Sequence, residues 1–225
     1  MRTLKLATLS IATAGLLVGS LAACSTTSTA AGPTPLPITT AGPAPVASLP
    51  TLAGVDTKVT LDAGFIAALG SLKLTPGVVG SATLSDAGVL SFPITGGNVK
   101  YFDPTQKYRP YVQGSIDHAG SGISLSSGDT TVELTDFRID PGSSQLFGTV
   151  TANGTKVGDD LYIFTLDGST LKPLAKDADG NAVLEGTTVR ISPDAAALLN
   201  DAFKTTAVTD QLVVGIAKIT VKPAA

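Results

Sequence analysis

The sequence predicts a mainly β fold: one antiparallel sandwich or barrel-like domain with two short helices. Three observations predict it. Many short runs alternate apolar and polar residues, as in Val132/Leu134 and Leu146/Gly148/Val150, which is the period of a sheet with one buried face. Glycine-containing turn signals separate the runs at short intervals. Only two stretches carry a helix start signal.

In chain order, the expected strands are Lys58 to Leu61, Leu72 to Leu74, Val78 to Leu84, Val89 to Ile94 and Asn98 to Phe102. Tyr111 to Asp117, Gly122 to Ser126, Thr131 to Ile139 and Leu146 to Thr151 follow. The last are Leu161 to Leu166, Ala182 to Glu185, Thr187 to Ile191 and Gln211 to Val221. Turns are expected at Asp86-Ala87-Gly88, Gly96-Gly97, Asn153-Gly154, Asp167-Gly168 and Asp179-Gly180-Asn181. Between Leu134 and Phe137 the alternation slips by one residue, the mark of a bulge. Asp62 is placed to cap a helix over Ala63 to Leu69. Ser192 followed by Pro193 starts a second helix through Phe203, with a cap and then proline at the first helical position. VTLDAGFIAAL (59–69) aligns without a gap to VRISPDAAALL (189–199). The likeness suggests two equivalent strand–helix corners, and both helices are read as plugs for the core.

The N-terminus has a different organisation. Arg2 and Lys5 precede an apolar stretch from Leu6 to Val18, then Leu21-Ala22-Ala23-Cys24. This is the layout of a secretory signal over residues 1–23, with an apolar core shorter than the ~20 residues of a membrane span. The end of the signal resembles the bacterial lipoprotein box. That resemblance implies cleavage before Cys24 and diacylglyceryl attachment to its sulfur. Stable anchoring takes two or more acyl chains. Cys24 is the only cysteine in the chain, so the exported body has no disulfide to rely on. Residues 24–54 carry the lipidated cysteine and a Pro/Thr/Ala-rich run without a charged or aromatic residue. Such a run is read as a semi-rigid tether; the alternative is that its end, near Leu49 to Leu52, packs as an edge strand. Residues 55–225 are then a single β-rich domain, large enough for its own core.

The full chain has 15 basic and 18 acidic residues; without Arg2 and Lys5 it has 13 against 18, near −5. No basic cluster is present, which argues against nucleic-acid binding, since phosphate contacts need Lys and Arg. The expected location is the cell envelope, anchored to the outer face of the cytoplasmic membrane or to the outer membrane. The partners expected are the membrane, through the lipid, and a cell-envelope protein or a small apolar ligand.

Few residues suggest chemistry. His118 is the only histidine. A hydrolase would need it to activate a serine, and no serine sits in a G-x-S-x-G elbow. The plainer reading of His118 is a half-exposed residue at a hairpin turn. One histidine and an acylated cysteine cannot make a zinc site of the usual kind. Asp177 to Asn181 with Glu185 has the glycine and the last glutamate too early for an EF-hand, and a hairpin turn explains the same residues. Tyr101, Tyr108 and Tyr111 cluster with Phe102 in KYFDPTQKYRPYV, beside Lys107 and Arg109. They either form a loop that touches a ligand or cover the open end of the core.

GSIDHAGSGISL, followed by a strand ending in DFRIDPGSSQLFGTV, resembles HtaA-type domains. TTVRISPDAAALLNDAF with LVVGIAKITV is similar to their closing part. These are β-rich domains of actinobacterial cell surfaces associated with haem uptake. The resemblance implies the fold, haem as the one cofactor to consider, and a pocket position for His118. The family's iron-ligating tyrosine belongs to an N-terminal helical segment; the comparable GFIAALGSLKL here has none. The sequence thus leads to a non-enzymatic, lipid-anchored protein with a binding or structural role and no resident cofactor or metal. The alternatives are a haem or apolar-ligand carrier using His118 with Tyr101, Tyr108 or Tyr111, and a hydrolase using His118.

Overall fold

The computed structural model describes residues 42–52 and 54–222. Residues 1–41, with the signal and Cys24, lie outside the described residues. The elements are β1 (Ala47–Leu49), β2 (Gly54–Leu61), α1 (Ala63–Ser71), β3 (Thr75–Gly80), β4 (Thr83–Leu84), β5 (Val89–Pro93), β6 (Gly96–Tyr101), β7 (Val112–Ser127), β8 (Thr130–Asp140), β9 (Gln145–Ala152), β10 (Thr155–Asp167), β11 (Ala175–Lys176), β12 (Ala182–Ile191), α2 (Pro193–Phe203) and β13 (Val213–Val221).

The fold is mainly β, as the alternation predicts. All strand pairs are antiparallel, in the order β1-β6-β7-β8-β9-β10-β12-β13-β2-β5-β4, with β3 on β7 and β11 on β12. β5 lies beside β2 and β6 lies beside β7, yet only Ile94 and Thr95 separate β5 from β6. The sheet therefore curls into a half-barrel until its two ends share one bent strand. At the bend the Ile94 N–H donates to the Val55 carbonyl (3.4 Å) and the Thr95 N–H to the Asp117 carbonyl (2.8 Å).

The expected bulge is present. The β8–β9 register shifts between Thr135 and Arg138, and Asp136 sits at φ 53, a conformation that Asp tolerates better than most residues. β7 bulges opposite it, between His118 and Gly122. The Asp136 carboxylate ties the two bulges together by accepting from the Gly120 N–H at 2.8 Å.

Both helices start where the caps predict. Asp62 accepts from the Gly64 N–H, and Ser192 from the Ala195 N–H with Pro193 in the first turn. The helices follow β2 and β12, which flank β13, so they lie at the same end of the half-barrel. Phe65 and Leu69 of α1 and Ala195, Ala196 and Leu199 of α2 are buried there.

Several elements differ from expectation. Leu72 to Leu74 is not a strand. It terminates α1: the Lys73 N–H donates to the Gly70 carbonyl and the Leu74 N–H to the Leu69 carbonyl, with Lys73 at φ 55. These are the two bonds of a Schellman ending. Gly96-Gly97 is the start of β6 rather than a turn. Val78 to Leu84 divides into β3 and β4. Tyr111 to Asp117 and Gly122 to Ser126 are halves of one long strand, β7, and Ala182 to Ile191 is likewise one strand. β1 falls inside the span read as tether, and Leu52 is buried in the core. The domain's ordered packing thus begins before residue 55, along the edge-strand alternative.

Candidate functional site

His118 is not at a hairpin turn. It lies within β7, 2 % exposed, in an interior layer with Phe92 and Phe137. The Phe92 ring meets it edge-on, with centroids 6.4 Å apart. Its Nδ1 is 3.3 Å from the Phe137 carbonyl and its Nε2 is 2.8 Å from Thr57 Oγ1. A carbonyl only accepts, so Nδ1 carries the proton; Nε2 therefore accepts and the Thr57 hydroxyl donates. Burial pushes the imidazole down from 6.5 to about 4, against smaller opposing effects of the Phe137 carbonyl and the Asp117 charge. The ring is thus neutral and fully bonded. It joins β7 and β8 to β2 across the closing bend of the sheet.

The space beside it measures about 40 Å3, well below the ~300 Å3 at which ligand pockets begin. No serine or carboxylate bonds the imidazole, and the Ser121 hydroxyl donates to the backbone carbonyl of His118 (3.0 Å) instead. A catalytic triad is not assembled here.

The three tyrosines are neighbours of one another but not of His118. Tyr101 is 7 % exposed at the end of β6. It meets the Tyr111 ring edge-on at 6.1 Å, while Tyr108 packs on Phe102 at 4.7 Å. Tyr111 lies in the connection before β7, which contains a cis Arg109–Pro110 peptide. Tyr101 lines a void of about 40 Å3 beside β1, and Tyr111 a different and larger cavity. The space that His118 lines includes none of these tyrosines.

The cavity beside Tyr111 is the larger of the two that these tyrosines line. It has a volume of about 540 Å3, inside the range of roughly 300–1,000 Å3 usual for small-molecule sites. It opens at the end of the half-barrel away from the helices. The floor is formed by buried Ile116, Ile139, Leu166 and Ala217, from β7, β8, β10 and β13. Leu184, Thr187 and Ile219 form one wall. Three loops make the rim: Arg109 to Tyr111 before β7, Pro141 to Ser144 after β8, and Gly168 to Leu171 after β10.

The rim is fixed by local bonds. The Arg109 guanidinium lies over the Tyr111 ring, 5.1 Å from its centroid. It donates to the carbonyls of Gln106 (3.0 Å), Tyr108 (3.0 Å) and Pro104 (3.3 Å). Asp140 accepts from the N–H groups of Gly142 (2.8 Å) and Ser143 (3.2 Å). Asp167 accepts from the Ser169 N–H (2.9 Å), which with Arg190 nearby holds its carboxyl below the usual range.

Of the residues singled out in the sequence, Tyr111 lines this cleft, with Arg109 beside it. Tyr101 supports Tyr111 from behind. Ser144 and Leu171 gave no signal, because they reach the site only through strand pairing between β8, β9, β10 and β12. Among the described residues no group of three or more His, Cys, Asp or Glu is placed to hold a metal. At the calcium-like turn the Asp177 carboxylate is occupied by the Asp179 and Asn181 N–H groups and the Asn181 side-chain amide.

No family model matches the chain, and no curated protein sequence matches it. Solved structures do. One is the C-terminal domain of HtaA from Corynebacterium glutamicum, at 15% identity and a TM-score of 0.49, covering 77% of this chain and 98% of that one. Another is the heme binding protein HtaB from Corynebacterium glutamicum, at 7% identity and a TM-score of 0.47, covering 79% and 96%. The HtaA-type resemblance read in the sequence is met by these neighbours at low identity, and no residue role is carried over from them.

Proposed function

We propose that the chain is a lipid-anchored, non-enzymatic binding protein of the cell envelope, and that the cleft at the open end of its half-barrel takes a small apolar ligand. The observation that carries this reading is the cleft itself: about 540 Å3, floored by aliphatic side chains and rimmed by Arg109 and Tyr111. Apolar cavities with a few placed polar groups, at barrel mouths, are preferred ligand sites. The neutral, fully bonded His118 and the lack of an assembled triad favour carriage over catalysis. The anchor rests on Leu21-Ala22-Ala23-Cys24.

Haem is the first ligand to test, being apolar in its body and acidic at its edge; HtaB is itself a heme binding protein. Titrating the chain with haemin should give a saturable, sharpened Soret band that Tyr111→Ala weakens and His118→Ala does not abolish while the fold persists. No saturable band, or a band indifferent to Tyr111, removes haem from the cleft. Mass spectrometry of the processed N-terminus tests the anchor, and an unmodified Cys24 sinks that part of the reading.

A further inference from the structure

We propose that Arg109 makes the cleft selective for apolar molecules carrying a carboxylate, and that this recognition needs no metal in the ligand; the inference rests on the cleft being a binding site. Three arginines lie among the described residues. Arg138 pairs with Asp160 at 2.7 Å and Arg190 with Asp167 at 3.8 Å. Arg109 has no carboxylate within 4.0 Å among the described residues.

Its partners are the three loop carbonyls at 3.0, 3.0 and 3.3 Å. These neutral acceptors fix the guanidinium in place without cancelling its charge. A guanidinium has five N–H donors. Two of the three bonds start from Nη1 and one from Nη2, which leaves the Nε–H and one Nη2 hydrogen for a charge-assisted bond to a carboxylate.

Two carboxylates next to the rim loops do not compete for this charge. Asp140 is turned into its own loop by the Gly142 and Ser143 N–H groups. Asp167 is taken by the Ser169 N–H and by Arg190. The lining has no histidine, cysteine or methionine, and the Tyr111 ring is held between Arg109 and Tyr101. Discrimination then falls on the apolar body and the acid group.

The test compares metal-free protoporphyrin IX with its dimethyl ester, titrated by fluorescence into the purified full-length chain. The two share one body and differ in the free acids. The acid should bind about tenfold tighter or better, as expected for one charge-assisted pair. Arg109→Met should bring the acid-to-ester ratio towards one. Arg109→Lys keeps the charge but not the guanidinium geometry, and should keep part of the preference. Equal binding of acid and ester to the natural chain overturns the selectivity but leaves the cleft as a site. Binding of neither overturns both readings. A ratio unchanged in Arg109→Met, or lost equally in Arg109→Lys, assigns the residue to loop support and overturns the proposal.

Discussion

The two ends of the half-barrel are built from the same strands and treated differently. At the helix end, interior side chains such as Leu134 and Val150 are 2% and 0% exposed, and α2 contributes Leu199 at 2%. At the other end, Leu184 and Ile219 are aliphatic and only partly buried, facing a cleft of about 540 Å3. Loops take the place of a helix there. The helix end keeps a smaller hollow of about 220 Å3 under α2 and buries most of its apolar area, while the other end keeps more of it accessible. Accessible contiguous apolar surface of that kind is what the proposed binding site rests on.

The largest expected effect tests this contrast directly. Leu199→Ala should destabilise the domain by roughly 2–5 kcal/mol, with transfer and cavity terms adding. Leu184→Ala, at the open end, should cost clearly less and should instead weaken ligand binding. Denaturant unfolding of the pair measures both, and equal losses would break the comparison.

Between the two ends sits His118, and its effect is next in size. The folded imidazole titrates near 4 and the ordinary one at 6.5. The unfolded chain therefore takes up a proton first as pH falls. The stability that neutral His118 contributes is present above 6.5 and is lost as pH drops to about 4, by about 3 kcal/mol at most. The exposed carboxylates of Asp103, Asp159, Asp177 and Glu185 are held low by hydrogen bonds, so their contribution is lost at more acid pH. A flat stability profile from pH 6.5 to about 5 would contradict the buried neutral ring. His118→Phe should remove that slope if the fold is kept.

The smallest effects separate a buried cap from a surface pair. Ser192 is 0% exposed, accepts from the Ala195 N–H at 3.0 Å and donates to the Tyr162 carbonyl at 2.7 Å. Ser192→Ala should cost about 1–2 kcal/mol. Lys172 and Glu185 are 2.7 Å apart but largely exposed, so Lys172→Met should change stability by less than about 1 kcal/mol. Thermal melts of the two variants give the comparison, and a reversal of their order would place the helix end's stability elsewhere than in its caps and core.

Local rules made much of the fold legible. Alternation located most of the long strands, Asp62 and Ser192 marked both helix starts, and the slip near Asp136 marked the bulge. Elsewhere tertiary pairing overrides the local signals. Glycines at 96 and 97 look like a turn but let β6 run beside β7. The Gly120 region looks like a hairpin but is a bulge inside one strand, so His118 is buried rather than half-exposed at a turn. β1 is three residues in a proline-rich run and gains its strand character only from β6. The cleft was legible only through Tyr111 and its loop, because its floor and other rims come from segments distant in sequence.

The bent strand β5–β6 and the place of β13 have a kinetic consequence. β13 fills the gap between β12 and β2, pairing Leu61 with Gly215 and Gly54 with Val221. The last strand therefore pairs with one near the start of the domain, a contact of very high sequence separation. Loop closure on that scale slows folding, and it leaves two open strand edges until the final element arrives. A chain delivered N-terminus first cannot complete this sheet early. Its cooperative unit closes only when the whole domain has emerged, so any truncation before Val221 should yield an aggregation-prone open sheet rather than a smaller domain.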